Sequence, residues 1–274
     1  MIPKLIHNIW IQGYDNLPEQ NKKNNIQIRK LNTDWKFIMW DENMILDLLT
    51  KYPKILYVYK NIKKLHGLIN INASKSDIAR YIIMKEYGGL YYDLDFVCSA
   101  SFNQLFSNDN NNNTIYIASS KIDFLDYVYP FNKPKYCACF MAFPKEHPIW
   151  NLVIHKIINA TSKYQIGEAL DRTLQENNNK YNIILLDKIN GHYSCNKNGI
   201  CTTPVESSWN PIRNLMQYIN CHYKWFYLTL FIIIIFLFKI PVTSNLHGEF
   251  VKIILCIIIG IVLYYYFHNM RKNI

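Results

Sequence analysis

Apolar and polar positions alternate with two different periods along this chain, and the switches between them mark an α/β fold. Lys4 to Ile11 is a mostly apolar run suited to a buried strand, followed by a Gly13-Tyr14-Asp15-Asn16 turn, and Pro18 can open the next helix. Lys36 to Trp40 reads as a second strand. Asp41 then caps a helix running to about Lys51, and residues 53 to 72 read as irregular helix. Ser74 and Asp77 have capping-box spacing, which predicts a helix start there. Ile78, Ile82 and Ile83 then fall on one stripe, while Asp77, Arg80 and Met84 lie on another face. Gly88-Gly89 predicts the stop of that helix, and Leu90 to Leu94 the strand after it. Thr114 to Ala118, Tyr136 to Phe143 and Asn182 to Leu186 are further strands. Pro148 to Thr161 is a helix, and 107 to 113 an asparagine-rich loop. Strands alternating with helices imply a mainly parallel sheet, of single Rossmann-like type.

The pattern changes near residue 222. Trp225 to Phe238 and Phe250 to Phe267 are apolar on all sides, which predicts a membrane hairpin of about 223–242 and 250–267 attached to a domain of 1–221. Trp225-Phe226-Tyr227 and Tyr264-Tyr265-Tyr266 would form one aromatic belt. Lys224, Arg271 and Lys272 flank the domain side, against Lys239 and Lys252 on the loop side. With no signal peptide at the amino terminus, this predicts an integral membrane protein whose domain faces the cytosol. A lumenal, Golgi-type location is the alternative, on the strength of sequons at Asn72, Asn112 and Asn159.

Seven cysteines without a C-x-x-C pair argue against a disulfide framework or a zinc ribbon and predict free thiols. Cys195–Cys201 is the pair to consider if the compartment is oxidising. The formal charge of +10 comes from scattered lysines, with no basic run interleaved with aromatics, which excludes nucleic acid as the expected partner. A membrane surface or a diphosphate fits that charge equally well.

The chemistry gathers in residues 76 to 96, SDIARYIIMKEYGGLYYDLDF. Asp93 and Asp95, one residue apart at the end of a strand, can jointly meet a hard divalent cation through oxygen ligands. Such a cation is what holds and neutralises a departing diphosphate. Read without that chemistry, Asp77 only caps, Arg80 pairs with it, and the two later carboxylates are turn residues.

IPKLIHNIWIQG at the start, WKFIMWDE at 35 to 42, the string above, FMAFPKEHP at 140 to 148 and SSW at 207 to 209 occur in this order. Together they resemble glycosyltransferase family 32, which includes mannosyltransferases and mannosyl-inositolphosphoceramide synthases. The resemblance covers about residues 1 to 210. YQIGEAL stands where that family usually has a Thr-Gly-Pro-like turn, and TTPVES where it usually has a His before the final Ser-Trp.

The resemblance implies a GT-A-type fold and a retaining, metal-dependent transferase using Mn²⁺ or Mg²⁺. Its donor would be a GDP- or UDP-hexose, with mannose from GDP-mannose the leading guess. The acceptor would be lipid-linked, glycan or protein, at a membrane, with a sphingolipid-type glycolipid attractive. It further implies donor binding by Ile9, Trp10, Asp77, Arg80, Tyr92, Asp93, Ser208 and Trp209. Trp10 would stack on the base, Asp77 and Arg80 would hold the sugar and diphosphate, and Ser208 and Trp209 would form a lid. Asp95 is the better direct metal ligand, with Asp93 on the ribose or a metal-bound water. Asp77, Arg80, Asp93 and Asp95 are thus the expected catalytic set. The rival reading is a non-catalytic sugar-nucleotide or glycan-binding membrane protein on the same fold.

Overall fold

Side chains at alternate positions of the strands go to opposite faces of one six-stranded sheet. The computed structural model describes residues 1–65, 70–106, 113–120, 135–190 and 199–203. The strands are β1 (Leu5–Ile9), β2 (Lys36–Trp40), β3 (Gly89–Tyr92), β5 (Thr114–Ser119), β6 (Tyr136–Phe143) and β7 (Asn182–Leu185), in the order β2-β1-β3-β6-β5-β7. β1 runs parallel to β2 and β3, and β5 parallel to β7, whereas β6 is antiparallel to both its neighbours. A small second sheet joins β4 (Val97–Cys98), β9 (Cys201–Thr202) and β8 (Ile189–Asn190).

Period-two alternation builds a core on each face. Ile9, Tyr91, Ile115, Ile117, Met141 and Phe143 enter one core with the helices α2 (Glu42–Leu49), α3 (Pro53–Lys60), α4 (Ile71–Tyr87), α5 (Ile149–Ile158), α6 (Lys163–Gly167) and α7 (Ala169–Glu176). Ile6, Leu90, Tyr92, Tyr116, Phe140 and Ala142 enter the other, beneath α1 (Glu19–Leu31) and the small sheet. Helices cover the sheet on both faces, as an α/β layering requires.

β1 is less apolar in effect than its sequence suggests, because His7 and Asn8 are fully buried. Their polar atoms are satisfied across the sheet. Trp40 Nε1 donates to His7 Nδ1 at 3.1 Å, His7 Nε2 lies 3.0 Å from the Gly88 carbonyl, and Asn8 Nδ2 donates to the Tyr92 carbonyl at 2.8 Å.

Two boundaries differ from expectation. α4 begins at Ile71, not Ser74: the Asn70 side chain accepts from the Asn72 amide at 2.8 Å and caps the helix a turn earlier. Ser74 is therefore buried inside the helix, bonded back to the Asn70 carbonyl at 3.3 Å. β3 ends at Tyr92, two residues before the predicted end. The Asp93 amide makes one more bond, to the Cys139 carbonyl at 2.9 Å, and Leu94-Asp95 then turn away.

Between α4 and β3 the chain reverses on two glycines with positive φ, Gly88 at 61° and Gly89 at 94°. A Cβ on Gly88 would lie 2.4 Å from the Lys145 nitrogen, and one on Gly89 2.5 Å from the Leu5 carbonyl oxygen. Both positions therefore exclude any larger residue.

The expectation of free thiols is corrected. Cys98 is bonded to Cys201, and Cys137 to Cys139. Cys98 and Cys201 face each other in the β4–β9 register, so strand pairing brings together sulfurs that sequence spacing leaves 103 residues apart. Cys201 is thus not the partner of Cys195.

Among the described residues no helix is long and apolar enough to cross a membrane. The predicted hairpin within 222–274 lies outside the described residues. So do Ser208, Trp209, Asn112 and Cys195.

Candidate functional site

A cleft of about 650 Å³ opens beyond the carboxyl ends of β1 and β3. Because these strands are parallel neighbours, the residues that follow them emerge on the same edge of the sheet, where open α/β folds collect ligands. Ile9, Trp10 and Ile11 leave β1 and form one part of the lining; Tyr91, Asp93, Leu94 and Asp95 come from β3 and the turn after it. α4 contributes Asn72, Ser76 and Arg80, spaced four apart and so aligned on one helix face. Opposite stand Gln20, Asn21 and Asn24 of α1, giving the cleft an amide-rich wall.

Arg80 organises the floor of this cleft. Its side chain is buried, and one Nη lies 3.0 Å from Asp77 Oδ1 and 3.5 Å from Asp93 Oδ1. The other Nη donates to the Ala138 carbonyl at 3.1 Å, and the guanidinium sits 4.9 Å from the centre of the Tyr91 ring. Its Nε has no hydrogen-bond partner among the described residues. Burial works against the positive charge, but Asp93 and Asp77 beside it more than offset that and raise its pKa, so Arg80 stays a cation.

Tyr91 completes the arrangement. Its hydroxyl donates to Asp93 Oδ1 at 2.7 Å, and burial raises its pKa well above the usual value, which keeps it a donor. Asp93 Oδ1 thus receives both Tyr91 and Arg80. Asp95, two residues on, also lines the cleft, with its Oδ1 buried. Asn21 Nδ2 donates to the Leu94 carbonyl between them at 3.1 Å, tying the turn to α1.

This donor set bears on a divalent cation. No three Asp, Glu, His or Cys side chains converge among the described residues. A Mg²⁺-like ion does not need them, since it binds through one or two carboxylates and takes its other ligands from phosphates and water. Asp93 and Asp95 on one cleft wall fit that pattern.

Of the site residues expected from sequence, Ile9, Trp10, Arg80, Asp93 and Asp95 line the cleft together. Asp77 stands behind Arg80, held in its ion pair and not on the cleft wall. Tyr92 is a correction. Alternation along β3 sends its ring into the core, stacked on Phe140, and its hydroxyl accepts from Asn25 Nδ2 at 3.0 Å, so it does not reach the cleft. Sequence reasoning passed over Tyr91, although its position two before Asp93 put both on one face of the strand. The amide wall of α1 left no signal beyond a polar helix.

Residues 18–112 match the family described as a glycosyltransferase sugar-binding region containing a DXD motif. The glycosyltransferase L373 of Acanthamoeba polyphaga mimivirus is 40% identical over 100 residues, covering 36% of this chain and 37% of that protein. Inositol phosphoceramide mannosyltransferase 1 of Schizosaccharomyces pombe is 26% identical over 168 residues, covering 60% of this chain and 45% of its own. The chain therefore spans less than half the length of these two relatives. Among solved structures, the PaToxG glycosyltransferase aligns with a TM-score of 0.46 at 19% identity, over 64% of this chain and 69% of that one.

Proposed function

We propose that this protein, whose residues 18–112 match the family of DXD-containing glycosyltransferase sugar-binding regions, is a metal-dependent, retaining glycosyltransferase of GT-A type. It moves a hexose from a nucleotide sugar to a membrane-associated acceptor. Mannose from GDP-mannose is the favoured donor and an inositol-phosphate sphingolipid the favoured acceptor, since one relative is named an inositol phosphoceramide mannosyltransferase. Residues 1–221 form the catalytic unit and 222–274 its membrane hairpin. The observation that carries this reading is the cluster of Arg80, Tyr91, Asp93 and Asp95 in one cleft at the parallel strand ends.

In this reading the Arg80 guanidinium, held in place by Asp77 and the Ala138 carbonyl, puts a fixed positive charge at the cleft floor to face the diphosphate. Trp10 receives the base, and Tyr91 holds Asp93 in place for the ribose or sugar hydroxyls. Asp93 and Asp95 would hold Mn²⁺ or Mg²⁺, which when bound supplies positive charge to the departing diphosphate. Ser208 and Trp209 close over the donor. The paired cysteines fit an oxidising, lumenal location, whereas the lysines and arginine flanking the apolar runs fit a cytosol-facing one.

The test is release of nucleoside diphosphate from GDP- and UDP-sugars with Mn²⁺ present, followed by mass spectrometry of products in membrane extracts. Asp95→Ala is expected to lower turnover by at least about 10²-fold, the scale on which transition-state charge stabilisation acts. Equal turnover by that variant would sink the metal assignment. Tight donor binding with no hydrolysis or transfer would show a binding protein instead.

A further inference from the structure

Between Asp47 and Asp77 the chain carries six lysines, at 51, 54, 60, 63, 64 and 75, and no acidic residue. The fold sorts them. Lys51 pairs with Glu86 at 3.4 Å and Lys75 with Glu42 at 2.7 Å. Lys54, Lys60, Lys63 and Lys64 are exposed and make no ion pair among the described residues.

Helical periodicity gathers part of this set on one face. Ile55 and Tyr59 bury the inner side of α3 against the core, so Lys54, Tyr57 and Lys60 point the other way. Tyr57 is 65% exposed, a large aromatic standing out between two lysines. The short 3₁₀ turn Ile62–Lys64 then buries Ile62 and leaves Lys63 and Lys64 outward.

We propose that this Lys54–Tyr57–Lys60–Lys63–Lys64 surface docks the domain onto an anionic lipid bilayer. The charge is complementary to lipid phosphates, the lysine stems and Tyr57 ring suit the headgroup boundary, and no acidic side chain interrupts the stretch. The two apolar runs of the same chain, Trp225 to Phe238 and Phe250 to Phe267, give the domain a bilayer to meet. The placement also matters for the cleft. Residues 62–64 pack on α4, whose first turn supplies Asn70 and Asn72 to the cleft lining. The surface and the cleft thus share α4 as a support.

The surface does not depend on the sugar-transfer reading, because docking and turnover are read by separate measurements. The full chain is reconstituted in vesicles of phosphatidylcholine alone or with added phosphatidylinositol, and lysine acylation is mapped by mass spectrometry. Exposed Lys36, on β2, is the internal control. The expected result is lower reactivity of Lys54, Lys60, Lys63 and Lys64 in the anionic vesicles only, reversed by high salt, with Lys36 unchanged. At ~1 kcal/mol per lysine, each Lys→Glu change should weaken that protection at least about fivefold. Asp95→Ala should leave it intact, so a failure of docking and a failure of the catalytic assignment are told apart. Equal reactivity in both vesicle types would overturn the proposal. Protection by added tRNA without anionic lipid would overturn it too, in favour of a nucleic-acid surface.

Discussion

Tyr91 shows how one hydroxyl can set the geometry of a charged site. It bonds Asp93 Oδ1 and places its ring under Arg80, so removing the hydroxyl frees the carboxylate to rotate away from its position. Tyr91→Phe is expected to cost about 1 kcal/mol of stability, the usual net worth of one hydrogen bond, and to lower turnover by roughly tenfold or more. Donor-release kinetics beside a thermal melt separate the two effects; a melt shift with unchanged kinetics would refute the positioning role. A second residue, His7, makes stability depend on pH. Trp40 donates to its Nδ1, so the network assigns the proton to Nε2 facing the Gly88 carbonyl, and burial lowers its pKa to about 4. The unfolded chain takes up this proton near pH 6.5 and the folded one only near 4. The contribution is therefore complete above about 6.5, declines as pH falls through that window, and is lost below about 4. Its size is on the order of 3 kcal/mol. His7→Gln, whose amide can keep both bonds, should flatten the dependence of denaturation midpoint on pH across this range. The carboxylates and Arg80 were legible in the sequence as charged groups at a strand end. His7 was not, because a histidine inside an apolar strand gives no sign of which partners the neighbouring strands will supply.

At the scale of elements, the reversal from α4 to β3 controls where the carboxylates stand. Gly88 and Gly89 allow the helix to end against Lys145 and the strand to begin against Leu5, both backbone to backbone. Gly89→Ala must move β3 away from β1 as well as strain a positive φ. The expected cost is about 2 kcal/mol or more, together with loss of donor turnover, because Asp93 and Asp95 follow β3 directly. Chemical denaturation paired with the diphosphate-release assay checks both; a variant of unchanged stability would show that the strand can yield there. This double glycine was readable in advance, and so were β2 and β6, whose predicted bounds match the structure, because their local pattern and their packing agree. The start of α4 was misread. Ser74 and Asp77 have the spacing of a cap, yet Asn70 caps the helix a turn earlier, and only burial of Ser74 in the tertiary structure decides between them.

For the whole molecule the feature hardest to foresee was the disulfide that ties two strands of the small sheet. Parity and spacing of the cysteines pointed to free thiols, whereas Cys98 and Cys201 meet because two short strands pair across 103 residues of chain. No local pattern records that register. The bond has two consequences. It closes a loop that contains β5 to β8, so it restricts the unfolded chain, and loops of this length correspond to at most about 4–5 kcal/mol, with about 2–4 typical. It also fixes β4, which directly follows the Asp93–Asp95 turn and supplies Val97 to the cleft lining. Reduction, or the double change Cys98→Ser/Cys201→Ser, is therefore expected to lower the melting temperature by roughly 5–15 °C for a domain of this size. Donor affinity should fall with it, because the rim of the cleft then loses its covalent tie to β9. The experiment compares melting and nucleotide-sugar binding of the full chain with and without reductant, with thiol labelling to verify that the bond has opened. If labelling shows two new thiols at these positions and neither melting nor binding moves, the disulfide does not brace the site.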